Sequence, residues 1–257
     1  MFMVVLDPNV LNPFVLVSPA VAPVLAAVIT AISVSLSLMI SRYFFKSYTF
    51  SGFGYLLGLP VGFAFLGASF IFETLSLMYR ADPLLYPEFF WIQVSLQSEA
   101  FALIALSYYY KNADTSERGR KVRARDILVT MLPLTMVAIP FLVPTMSLAT
   151  GLYFNYADLA DLSFYMRIFN IVVIGYIFKS TILSLVKAAN IKLLYVPAAF
   201  ALLGLEQYSL ILAYFDNSVI AFIGSAAARI AGLALFAYIM HSVTSRRRIE
   251  IEARKAA

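Results

Sequence analysis

Six ionisable residues stand inside long apolar runs of the chain: Glu73, Glu99, Arg167, Lys179, Glu206 and Arg229. Charge in such surroundings is costly, so these groups must pair, face the interior of a bundle or line a water-filled cavity. Carboxylates beside guanidiniums can do three things there. They can form a static bridge that fixes helix register, make a polar pocket that binds a ligand or relays a proton, or contact a partner subunit. All three readings are open for Glu73, Glu99, Arg167, Glu206 and Arg229, the candidate ligand or proton site. Lys179 carries a long stem that can snorkel toward the nearer interface. Polar company is at hand: Gln93, Ser95 and Gln97 near Glu99, then Asn170, Gln207, Tyr208, and Ser225 one turn from Arg229.

Other chemistries are missing. The chain has no cysteine and a single histidine, His241. Bis-histidine haem, di-iron histidine boxes, thiolate metal sites and HExxH zinc sites are therefore excluded within it. His241 is badly placed to activate a serine inside the apolar runs. Gly52-Phe53-Gly54 lies in an apolar stretch and reads as a packing feature, not a nucleotide loop. The sequence predicts no catalytic residue, no metal, no cofactor and no enzyme.

The elements that must hold these charges follow from composition. The chain has 257 residues, 62% hydrophobic and 13% charged, against about 45–50% and about 25% in soluble domains. A bilayer core of about 30 Å needs about 20 apolar residues per helix. Seven runs meet this, at about 16–41, 52–79, 88–110, 127–147, 162–187, 191–214 and 217–243. They are too long and too evenly apolar for barrel strands. The expected fold is an all-α integral membrane protein: one seven-transmembrane helix bundle over 1–245 and a short basic tail over 246–257. The first residues lack the basic stretch and small-residue cleavage site of a signal peptide, so the first span is expected to insert uncleaved.

Basic residues set the expected orientation. With the N-terminus outside, the cytoplasmic segments hold fifteen Lys and Arg, chiefly within 111–125 and 246–255, and the outer loops hold one, Arg80. The expected location is the cell membrane, multi-pass, with the C-terminus cytoplasmic. The net charge of +5 then reflects topology and attraction to anionic headgroups, and no nucleic-acid partner is expected.

Depth can be read at about 1.5 Å per residue from the outer end of each run. Glu73 and Arg167 then lie about 9 Å deep, Glu206 about 12 Å, Glu99 about 16 Å and Arg229 about 18 Å. By this measure Glu99 is the first expected partner of Arg229 and Glu206 the second. Gly54, Gly58 and Gly62, and again Gly224, Ala228 and Gly232, recur every four residues. Such faces let helices approach closely, within the bundle first and in an oligomer second. Pro60 and Pro197 are expected to kink their helices, and Pro140 and Pro144 to disturb a third. No internal repeat marks an inverted-repeat transporter.

The stretch Ser225-Ala226-Ala227-Ala228-Arg229-Ile230-Ala231-Gly232-Leu233 resembles the segment of microbial rhodopsins in which a lysine carries retinal as a Schiff base. Arg229 stands at that lysine's place. Glu99 is similar in position to the acidic counterion and relay groups of that family, and Pro197 to a proline of its sixth helix. Arginine cannot form the Schiff base, because its guanidinium stays protonated. The family's pocket is rich in tryptophan, and this chain has only Trp91. The resemblance implies a rhodopsin-like seven-helix protein lacking the retinal lysine, or a seven-helix sensor domain that signals through a separate protein. The expected function is that of a sensor-like or accessory subunit, with 111–125 and 246–255 placed to meet a partner. The alternative is a small transporter or proton- or ion-coupled carrier using Glu99, Glu206 and Arg229.

Overall fold

The computed structural model describes residues 21–51, 53–79, 82, 85–114, 156–188, 194–216 and 219–256. These form six α-helices: α1 (Val21–Ser51), α2 (Gly58–Met78), α3 (Leu85–Asp114), α4 (Tyr156–Ala188), α5 (Tyr195–Asp216) and α6 (Val219–Ala256). A 3-10 turn, Gly54–Leu57, leads into α2. All six helices are long and apolar enough to cross a membrane. They correspond to the first three and last three expected spans. The fourth, 127–147, lies outside the described residues, as do Pro140, Pro144 and most of the basic 111–125 segment.

α2 runs antiparallel to α1 and α3, and α5 to α3, α4 and α6. Thr30 of α1 hydrogen-bonds Thr74 of α2, while Ser41 donates to the Pro60 carbonyl at the other end. Along α3, Gln97 meets Glu206 of α5 and Tyr108 meets Phe200. Phe164 and Asn170 of α4 meet Phe215 and Gln207 of α5. Hence α1, α3, α4 and α6 point one way, and α2 and α5 the other. Met78, Leu85, Tyr156, Asp216 and Val219 lie at one end of the bundle, its upper end.

Helices at the rim of the bundle bury a stripe set by the 3.6-residue period, whereas α3 is enclosed on all sides, with every residue from Gln97 to Ile104 buried. On α4 the buried positions are Ser163, Arg167, Asn170, Ile174, Ile177, Ser180 and Thr181, spaced three and four apart until the adjacent last two. The flanking Tyr165, Phe169, Val172 and Tyr176 are exposed, which suits contact with lipid. Lipid gives apolar helices no hydrophobic reason to associate, so close packing and polar contacts must hold them. Gly58 and Gly62 supply the closest packing. A Cβ added at Gly58 would stand 2.5 Å from the Leu103 carbonyl oxygen, and one at Gly62 2.9 Å from that of Ala100. On α6, a Cβ at Gly232 would meet the Ala199 carbonyl oxygen at 3.1 Å, and Ala228 is buried.

Several local expectations are corrected. Gly54 is buried but sits in the 3-10 turn, before α2 begins. Gly224 has nothing within 4 Å of where its Cβ would be, so it packs no described helix. Pro60 and Pro197 do not interrupt helices. Each is the third residue of its helix, within the first turn, where no i−4 carbonyl awaits the missing N–H. α1 continues through Arg42 and Lys46 to Ser51, because basic side chains end a membrane span without ending a helix. The expected tail is likewise helical as far as Ala256, continuous with α6.

The interior has two layers. The lower holds Phe63, Leu66, Phe70, Ile104, Ile174, Ile177, Phe200, Leu203, Leu233, Phe236 and Met240. Phe236 sets its ring edge-on to Phe63 and Phe200, at 5.3 and 4.9 Å between centroids. Such T-shaped pairs place a positive ring edge on a negative ring face. Above this layer the same stripes turn polar.

Candidate functional site

The polar layer is built by continuing those stripes by one or two turns. On α2 the sequence Phe63, Leu66, Phe70 leads to Glu73. On α5 Phe200 and Leu203 lead to Glu206 and Gln207, and on α6 Phe236 and Leu233 lead back to Arg229. Three charged groups from three helices therefore meet over the apolar plug.

Arg229 is at the centre. Its Nη1 donates to Glu73 Oε2 at 2.5 Å and its Nη2 to Glu73 Oε1 at 2.9 Å, a bidentate fork. Its Nε donates to Glu206 Oε1 at 2.7 Å. Gln97 Nε2 donates to the same Glu206 oxygen at 3.4 Å. Charge-assisted, fork-shaped pairs of this kind are the strongest hydrogen bonds available to side chains. The guanidinium also lies 4.3 Å from the centroid of the Phe70 ring, where the ring's negative face attracts it. Arg229 is 3% exposed and Glu206 fully buried. Phe70 escaped the sequence reading, although it stands three residues before Glu73 and so shares its face.

Glu206 thus pairs with Arg229 as expected, whereas the expected Glu99–Arg229 pair does not form. The partner is Glu73. Two geometric reasons account for this. Side chains lean toward the N-terminus of their own helix. α6 begins at the upper end and α2 at the lower end, so Arg229 reaches up and Glu73 reaches down. Their backbones differ in depth by about 9 Å on the straight-rod reading, and the lean of two long side chains closes that gap. Glu99, in turn, lies about 160° around α3 from Gln97, at 100° per residue. The side of α3 that touches Glu206 is the side away from Glu99.

Arg167 of α4 belongs to the same layer. It is buried and within electrostatic reach of Glu73, Glu206 and Arg229. Two guanidiniums and two carboxylates make this cluster neutral. Asn170 Nδ2 donates to Gln207 Oε1 at 3.1 Å beside it. Yet Arg167 Nη1, Asn170 Oδ1, Gln207 Nε2 and Glu206 Oε2 are buried without a hydrogen-bond partner among the described residues. Buried polar atoms are rarely left so. Two are donors and two acceptors, a set that suits bound water or a small polar ligand. Tyr208, by contrast, is exposed, and Ser225 donates to the Phe222 carbonyl of its own helix. A small recess between α1, α2 and α6 reaches the clamp from the side, lined by Thr30, Glu73, Thr74, Phe222, Ser225 and Arg229.

Lys179 is exposed on α4, consistent with a snorkelling side chain. Among the described residues no group of three or more His, Cys, Asp or Glu is placed to hold a metal ion. The chain matches no known family model, no curated protein and no solved structure. What the site can do rests on its own geometry: hold α2, α5 and α6 in one register while paired, and free them when a proton or ligand breaks the pair.

Proposed function

We propose that the chain is a non-enzymatic, rhodopsin-like seven-helix membrane protein that acts as a sensor-like or accessory subunit through a partner. The observation that carries this reading is the charged clamp of Arg229, Glu73 and Glu206 stacked on an apolar layer. A clamp shared by three helices, paired here, would release all three when one carboxylate is protonated or drawn away, which suits a switch. An interior closed below by Phe63, Phe200 and Phe236 suits passing on a change of shape rather than a solute.

Seven spans are supported by direction. α3 ends at the lower end and α4 begins at the upper end, so residues 115–155 must return the chain across the bundle. The apolar run 127–147 has the length for one crossing. An outside N-terminus and cytoplasmic C-terminus are supported by the distribution of Lys and Arg. On that orientation 111–125 and 246–255 face the cytoplasm and offer basic surfaces to a partner.

The test is native mass spectrometry of the protein extracted gently from its own membrane. A stoichiometric second polypeptide, lost when Arg246, Arg247 and Arg248 are changed to Glu, is the expected outcome. A lone chain in both forms would reject the reading. The unpartnered atoms of Arg167, Asn170 and Gln207 favour a second reading, a small proton- or ion-coupled carrier. Reconstituted flux that disappears in Glu206→Gln would support that second reading instead.

A further inference from the structure

Glu99 is the one deep carboxylate that the clamp does not use. Its Oε1 is buried with no hydrogen-bond partner among the described residues. The hydroxyl oxygens of Ser95 and Ser98 are buried and unpartnered as well. These three residues occupy positions i, i+3 and i+4 of one helix, so they share a face, one turn apart. The residues themselves are 7%, 3% and 5% exposed for Glu99, Ser95 and Ser98.

Charge decides what the site requires. Arg167 and Arg229 are matched by Glu73 and Glu206, which leaves Glu99 as the surplus charge. Among the described residues no ion pair includes Glu99. Of the elements packed on α3, α2 carries one ionisable group, Glu73, and α5 carries Glu206, and both are held by Arg229. α4 carries Arg167, which lies within electrostatic reach of the clamp, and Lys179, which is exposed. The sequence holds no Lys or Arg between Arg125 and Arg167, so the apolar run 127–147 offers no cation either. A carboxylate at this depth must be neutralised.

We propose that Glu99, Ser95 and Ser98 form a site for a small monovalent cation, Na⁺. One carboxylate and one Na⁺ leave no net charge in the membrane. The two hydroxyls add neutral oxygen ligands of the hard kind that such cations take, and each hydroxyl hydrogen stays free to bond a backbone carbonyl one turn back. A proton on Glu99 would also cancel its charge, and it would donate to only one acceptor, leaving the other oxygens without a partner. The site is separate from the Arg229 clamp, since it lies on the opposite side of α3, and it does not depend on the function proposed above.

The test is equilibrium binding of ²²Na⁺ to the full chain purified in a non-ionic detergent at pH 8, with choline holding ionic strength constant. Wild type is expected to bind one Na⁺ saturably, with half-saturation moving to higher Na⁺ as the pH is lowered. Glu99→Gln keeps size and shape and is expected to lose the saturable component while its helical circular dichroism is unchanged. Ser95→Ala and Ser98→Ala are each expected to raise the dissociation constant about tenfold, the loss of one good ligand. Equal binding by wild type and Glu99→Gln would overturn the proposal. So would a wild-type chain whose thermal midpoint responds to pH and not to Na⁺, because a proton alone would then be the neutralising ion.

Discussion

Taking one partner from a buried ion pair leaves the other charged and unsolvated, so the groups around Arg229 respond unequally to mutation. Arg229→Met leaves Glu73 and Glu206 facing each other over Phe70 and is expected to cost about 3–5 kcal/mol, read from reversible unfolding in mixed micelles. Glu73→Ala and Arg229→Ala are expected to couple by about 0.5–3 kcal/mol in a double-mutant cycle. Glu99→Ala and Arg229→Ala should add to within about 0.5 kcal/mol. Additivity in the first cycle, or coupling in the second, would contradict the arrangement described. At this scale the sequence marked Glu73, Glu206 and Arg229 and named the Glu206–Arg229 pair second, but it put Glu99 where Glu73 stands. Ionisable groups inside apolar runs are conspicuous one by one. Their pairing depends on helix direction, which tilts Arg229 up and Glu73 down, and on azimuth, which turns Glu99 away. Neither can be read from depth alone.

Where helices touch, the cost of a methyl group measures the gap. Gly58→Ala sets a Cβ against the Leu103 carbonyl and Gly62→Ala one against that of Ala100. Backbone cannot give way as a flexible side chain does, so each is expected to destabilise by about 1–3 kcal/mol. Gly224→Ala, with open space around it, is expected to change thermal stability little, within about 0.5 kcal/mol. A large loss there would mean that α6 has a neighbour outside the described helices. The four-residue glycine spacing was legible in sequence, yet it cannot tell a face against α3 from one against lipid. Pro60 and Pro197 teach a related lesson. Proline breaks a helix only where an i−4 carbonyl needs its N–H, and both stand within three residues of a helix start that the apolar runs placed several residues early.

For the whole molecule, the bilayer dictates what can be read from sequence. Six described spans follow from apolar length, since lipid tolerates few alternatives. The layering was not legible, because it arises only when stripes from separate helices are brought side by side. Orientation is open to a direct test that the composition makes simple. The chain has no cysteine, so single cysteines can be introduced one at a time. A cysteine at Asp82 is expected to react with an impermeant maleimide added to intact cells, and one at Arg247 only after the membrane is opened. The reverse pattern would invert the proposed topology.

α6 is a single helix from Val219 to Ala256, and Arg229 sits near its upper end. From Arg229 to Ala256 the axis covers about 40 Å at about 1.5 Å per residue. The helix is therefore one continuous rod that joins the clamp to the basic 246–255 segment. A tilt of about 10° there sweeps the far tip through about 7 Å, by the geometry of a rod of that length. On the switch reading proposed above, such a tilt would reach the arginines at 246–248, about 27 Å along the axis, as a shift of about 5 Å.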